Sequence, residues 1–378
     1  MPSWREVSLY FLMLGFINIG GPVAQITMMY SHMVEKRRWL SKERFVQIMA
    51  FCHMLPGPEA LQLAIYVGYL KRKLWGGIIA GLTFILPGAV VMILLSWLYV
   101  KYGRLPPVND FLYILKPAVL GIIGAGIIKL TRAAIRNAFL AVLLVVAFFA
   151  MRFGGVNFLL ILLAAGLVNL IAADGWRRFH NLSLVTPSLI ALFQRSFGLG
   201  DSRGLQMAWL FLKTGLFSFG GAYASMAFLQ QGAVEQHHWL TSGQLLDGVA
   251  LSVATPGPFM LFTTFVGFVA GGLSGAVIAT VFVFLPSFVF VLGGARYIEA
   301  VKNNRALQSF LAGVSAGVVG VIIVVSLELL PAAISDVWTV VIALGAFLAI
   351  VLIKVDIALV AVSTMALGGL YALGRAYF

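Results

Sequence analysis

Long apolar runs separated by short polar punctuation fill the chain from one end to the other. Runs such as 76–99, 272–292 and 307–329 carry almost no charge. Each is about the 20 residues that a helix needs to cross the hydrocarbon core of a bilayer. The pattern predicts an all-α polytopic membrane protein. Spans fall at about 8–30, 76–99, 111–129, 138–152 and 155–173. They recur at about 205–230, 272–292, 307–329, 337–353 and 356–373. The stretch 138–152 is short for a span, so Arg136 and Arg152 at its ends are expected to snorkel towards water.

The punctuation itself repeats. Gly20-Gly21 recurs as Gly220-Gly221, Val34-Glu35 as Val234-Glu235, and Trp39-Leu40-Ser41 as Trp239-Leu240-Thr241. Pro56-Gly57-Pro58 recurs as Pro256-Gly257-Pro258, again at an offset of 200. One residue is then lost, and Leu86-Pro87 matches Leu285-Pro286. Register held through a Gly-Gly pair, a Trp and a Pro-Gly-Pro marks a duplication. It predicts an N-terminal repeat at 1–175, a linker at 176–203 and a C-terminal repeat at 204–378.

Charge gives the repeats a direction. The loop 32–44 carries Lys36, Arg37, Arg38, Lys42 and Arg44, whereas its counterpart 231–244 carries no Lys or Arg. Lys71-Arg72-Lys73 likewise faces Ala270-Gly271-Gly272. Basic loops stay in the cytoplasm, so equivalent loops lie on opposite sides and the repeats have inverted topology. Both termini then fall outside, and the linker, with Arg177, Arg178, Arg195 and Arg203, falls inside. Lys101 and Arg104 land outside, against the rule. The stretch 45–70 has basic loops at both ends, so it is expected to enter and leave on one side. Pro56-Gly57-Pro58 cuts it into arms of about 11–12 residues, or about 17 Å, half a bilayer. Each repeat thus reads as about five transmembrane helices plus one re-entrant helical hairpin, the second hairpin at 245–269. Ser41 and Thr241 are predicted N-caps, with Gln244 completing a capping box.

Composition removes the rival classes. With 61% hydrophobic and 10% charged residues, no soluble surface is possible. The net charge of +13 sits mostly in loops beside spans, so it reads as topology in a lipid bilayer and not as a nucleic-acid surface. Cys52 is the only cysteine, which excludes an internal disulfide. His32, His53, His180, His237 and His238 show no metal-ligand spacing, and no cofactor is expected. Nothing in the chain looks like an enzyme's nucleotide loop or nucleophile–base pair.

Candidate chemistry gathers where inverted repeats with broken helices meet, near the bilayer midplane. At the hairpin tips, Pro56, Gly57 and Pro58 face Pro256, Gly257 and Pro258, with Pro58 and Pro258 expected at the first helical position. Free N–H groups and the helix dipole make such tips receptive to an anion. At the Gly-Gly breaks stand Asn18, Gly20, Gly21 and Gln25, matched by Ser218, Gly220, Gly221 and Ser225. These read either as pathway lining or as small-residue helix packing. Lys213, about eight residues into its span, is either a counter-charge or a snorkelling anchor. Glu59 either satisfies the helix dipole or carries a proton, and its counterpart is Phe259. His53 and Gln62 on the first hairpin, and Thr255 and Thr263 on the second, complete the polar set.

Several of these segments resemble the chromate ion transporter family in its long-chain, two-domain form. The resemblance is carried by 20–26 (Gly-Gly-Pro-Val-Ala-Gln-Ile), 37–41 (Arg-Arg-Trp-Leu-Ser), 55–60 (Leu-Pro-Gly-Pro-Glu-Ala) and 66–70 (Tyr-Val-Gly-Tyr-Leu). In the second half it is carried by 231–235, 239–241 and 255–258. It implies a bacterial inner-membrane protein that exports chromate and confers chromate resistance. Sulfate or another oxyanion is the alternative cargo, and a homodimer is the assembly considered. Val253 stands where family members often carry an acidic residue, and His53 where Gln is expected.

Overall fold

The computed structural model describes residues 3–17, 22–103, 105–174, 202–219, 222–295 and 304–377. Most of the linker lies outside them, as do Asn18, Gly20, Gly21, Gly220 and Gly221. The described residues form helices and their connections, with no strand among them. Among the described residues, five helices are long and apolar enough to cross a membrane.

Two series of elements follow one another. The first is α1 (Trp4–Ile17), α2 (Pro22–Tyr30), α3 (Lys42–Cys52), α4 (Glu59–Tyr102), α5 (Pro106–Ala134), α6 (Ala138–Arg152) and α7 (Phe158–Asp174). The second is α8 (Arg203–Leu216), α9 (Ala222–Leu229), α10 (Ser242–Ala254), α11 (Phe262–Gly294), α12 (Arg305–Ala333), α13 (Val337–Val351) and α14 (Ile357–Tyr377). A π-helical turn continues α2 over Ser31–Lys36 and α9 over Gln230–Gln236. Irregular backbone also comes in pairs. Positive φ occurs at Arg38 and His238, at Gly57 and Gly257, at Lys73 and Gly272, and at Gly155 and Lys354. Lys73 and Gly272 break α4 and α11 at the sites of the predicted loops. Only a glycine meets φ above zero without cost. The basic loop therefore accepts strain at Lys73 that its counterpart avoids.

Local chemistry explains the helix starts. The Ser41 hydroxyl accepts from Arg44 N at 3.2 Å, and Thr241 and Gln244 form a reciprocal capping box. Asn137 caps α6 and Asp336 caps α13 in the same way. Two expectations need correcting. The stretch 205–230 was expected as a single span, but α8 ends at Leu216 and Phe217–Phe219 are not helical; in 8–30 the corresponding residues 18–21 lie outside the described ones. Pro58 and Pro258 are N-caps in extended conformation, not first helical residues. A proline's fixed φ suits both positions, and Glu59 and Phe259 begin the turns instead.

The two series interlock. α4 and α11 lie side by side, with α1 against α4 and α8 against α11. α5 leaves its own series to pack on α13 and α14, while α12 packs on α6 and α7. Both crossings need glycine. A side chain at Gly121 would strike the α13 backbone at Ala343 and Phe347, and one at Gly320 would strike the α6 backbone at Leu144 and Phe148. The packing of the long helices in one series is mirrored in the other, as in a two-fold interface.

Candidate functional site

The two Pro-Gly-Pro segments, with the helix starts that follow them, are tied to the opposite series at matching points. Gly57 N donates to Ser218 O at 3.1 Å, and Gln25 Nε2 donates to Gly257 O at 3.0 Å. A Cβ on Gly57 would stand 2.5 Å from Ser287 Oγ, while Gly257 approaches Gly88, which matches Ser287 in the repeat. Each tip is thus held by a broken helix and a through-going helix of the other series.

Between the tips lies a cavity of about 800 Å³. One wall is the first tip, from Pro58 to Ala60, with His53; the other is the second tip, with Ser252, Val253, Thr255 and Gly257 to Met260. Gln25 and Tyr223 close its sides. Glu59 and Ala60 on one side, and Phe259 and Met260 on the other, belong to first turns whose N–H groups have no intrahelical acceptor. The polar groups within it are constrained. His53 Nδ1 and Glu59 Oε1 pair at 2.8 Å, and Ser252 Oγ donates to Phe259 O at 2.6 Å.

Of the residues singled out in the sequence, Gln25, His53, Pro58, Glu59, Thr255, Gly257 and Pro258 line the cavity. Others brace it from behind. Gln62 is fully buried and donates to Pro56 O at 2.6 Å, fixing the first tip; Thr263 donates to Met260 O at 2.9 Å, fixing the turn after the second. Ser218 and Ser225 join their hydroxyls at 3.0 Å next to the Gly57 contact. Pro56, Gly57 and Pro256 shape the tips without lining the cavity. Lys213 is elsewhere, with its ammonium over the Trp209 ring at 5.4 Å.

Sequence reading missed three cations. Lys129 and Arg132, near the end of α5, and Lys354, in the connection between α13 and α14, line the same cavity together with Asp356. All three cations are exposed, and Lys354 marks the mouth because it sits between helices. Lys129 closes a predicted span, and Arg132 and Lys354 fall between predicted spans, far apart in the sequence. The crossing of α5 into the second series is what assembles them. A match between Lys129 and a non-basic residue 199 positions later was the available signal.

A cavity with backbone donors at two tips and cations at its mouth suits an anion, and relatives point the same way. The family model "Chromate transporter" matches residues 5–170 and 205–372. A chromate transport protein of Pseudomonas aeruginosa is 37% identical over 341 residues, covering 86% of this chain and 81% of that protein. One of Cupriavidus metallidurans is 32% identical over 346 residues, covering 90% and 86%. A probable chromate transport protein of Synechococcus elongatus is 33% identical over 325 residues, covering 85% and 83%. No solved structure matches the chain. This is a multi-pass membrane protein, and it belongs to the chromate transporter family.

Proposed function

We propose that the protein exports chromate from the cytoplasm across the bacterial inner membrane and thereby confers chromate resistance. The observation that carries this reading is the single cavity shared by both Pro-Gly-Pro tips. Partial positive charge from two first turns converges there, and a tetrahedral oxyanion accepts such N–H groups from several directions. Membership of the chromate transporter family supplies the substrate class.

In this reading the repeats (1–175 and 204–378) are inverted in the membrane, the linker is cytoplasmic and both termini are outside. The two tips are then re-entrant hairpins that descend from opposite faces. The charge contrast between the loops at Lys36 and Gln236 supports the inversion. Reciprocal packing of α5 and α12 supports the two-fold relation that inversion requires. Energetics favours the direction. Moving a dianion out of a compartment held at 100 mV, inside negative, releases about 4.6 kcal/mol. That sustains a gradient of roughly a thousandfold without a coupling ion.

The test is radiolabelled chromate flux into everted membrane vesicles, with sulfate as competitor. Uptake well above that of vesicles lacking the protein is expected, and cells expressing the protein should hold less chromate than empty-vector cells. Equal uptake and equal accumulation, with expression verified, contradict the reading.

A further inference from the structure

The internal repeat allows the two ends of the pathway to be compared position by position. α5 and α12 align at an offset of 199, as the matched approaches of Gly121 and Gly320 demonstrate. At that offset Lys129 becomes Glu328, Arg132 becomes Pro331, and Lys354 corresponds to Gly155. The last pair even shares its backbone, with φ of 62° and 59°. The scaffold is duplicated, but the cations at the mouth are not.

The exchange at Lys129 reverses a charge. Glu328 is half-buried, and its Oε2 has no hydrogen-bond partner among the described residues. Glu235 and Arg152 are the charged groups that act on it, the first repelling its negative charge and the second attracting it. At the Lys354 end, none of the three cations forms a salt bridge among the described residues. Asp356 sits beside them, but its Oδ1 accepts from Ala358 N at 2.7 Å. Three cations against this one carboxylate leave that part of the cavity lining with a net positive charge.

We propose that Lys129, Arg132 and Lys354 form an anion-collecting site at one mouth of the pathway, and that Glu328, in the place of Lys129 at the other, disfavours anion entry there. The bias selects multivalent oxyanions, because each cation attracts a dianion twice as strongly as a monoanion. It rests on the transport reading above and places the receptive mouth on the cytoplasmic side.

The experiment measures half-saturating chromate concentrations for entry from each face, using full-length protein in everted and right-side-out vesicles. Lys129→Gln should raise the cytoplasmic-face value about tenfold, and Lys129→Arg should restore it. Glu328→Gln should lower the value at the outer face several-fold without affecting the cytoplasmic one. Lys101→Gln is the control, since that ammonium lies over Trp97 away from the cavity, and it should change neither. Wild-type flux with unchanged values for both Lys129→Gln and Glu328→Gln overturns the proposal alone. Absence of wild-type flux overturns the transport reading and this proposal with it.

Discussion

After Pro58 the chain enters an α-helix directly at Glu59, whereas after Pro258 it first makes the 3₁₀ turn Phe259–Leu261. The first tip carries a titratable pair, His53 and Glu59; the corresponding residues of the second are Val253 and Phe259. Both tips keep a glycine at strongly positive φ, 118° at Gly57 and 105° at Gly257. The two tips therefore share a backbone device while their side chains differ. What the two tips must share is close approach and exposed N–H groups. What they need not share is a titratable side chain.

The largest effect should come from filling the tips. Gly57→Ala and Gly257→Ala should each abolish flux, since a side chain at such φ costs about 1–3 kcal/mol. Gly57 is the tighter of the two. Its Cβ would meet Ser287 Oγ at 2.5 Å, while that of Gly257 would meet the Leu261 methyl at 3.0 Å. Adding Ser287→Ala should restore part of the flux to Gly57→Ala, because it removes the clash but not the φ penalty. Full activity in either alanine variant would show that the tips do not require glycine.

A smaller effect separates the arms that lead to the tips. On α10, Asp247 is almost fully buried, with Lys116 Nζ at 2.9 Å and the Tyr99 hydroxyl at 2.7 Å. Its counterpart on α3 is Gln47, exposed and bonded only to its neighbour Arg44 among the described residues. Removing one partner of a buried pair strands the other, so Asp247→Asn should destabilise the protein by about 3 kcal/mol. Gln47→Ala should stay within about 0.5 kcal/mol. Thermal unfolding of both variants in detergent checks the contrast, and equal losses would erase it.

Much of the backbone was legible in the sequence because its signals are local. The caps at Ser41 and Thr241, the breaks at Lys73 and Gly272 and the Pro-Gly-Pro interruptions each follow from a few adjacent residues. The cavity was only half legible. Lys129 and Lys354, 225 residues apart, reach it with Arg132 and Tyr223 through packing between the two series, and no local pattern records such a meeting. Lys213 attracted attention by its depth in an apolar run. Depth says nothing about the face of the helix, and its side chain lies over Trp209.

The subtlest contrast concerns protons. Glu59→Gln should change the pH dependence of chromate flux, since it removes the only carboxylate at either tip. Phe259→Leu should leave that dependence as in wild type, though the turn it begins is the counterpart of the one at Glu59. An unaltered pH profile in Glu59→Gln would reduce Glu59 to a charge that satisfies the start of α4.

Behind these comparisons stands one claim, that equivalent tips approach a shared cavity from opposite faces of the membrane. Single cysteines at Lys36 and Gln236 test it most directly, in a Cys52→Ala background with an impermeant thiol reagent. The two positions are repeat equivalents, in or at the end of the two π-helical turns. Labelling of position 236 from outside intact cells, and of position 36 only after the cytoplasmic face is opened, is the expected result. Labelling of both from the same face would contradict the inverted arrangement and the two-sided site built upon it.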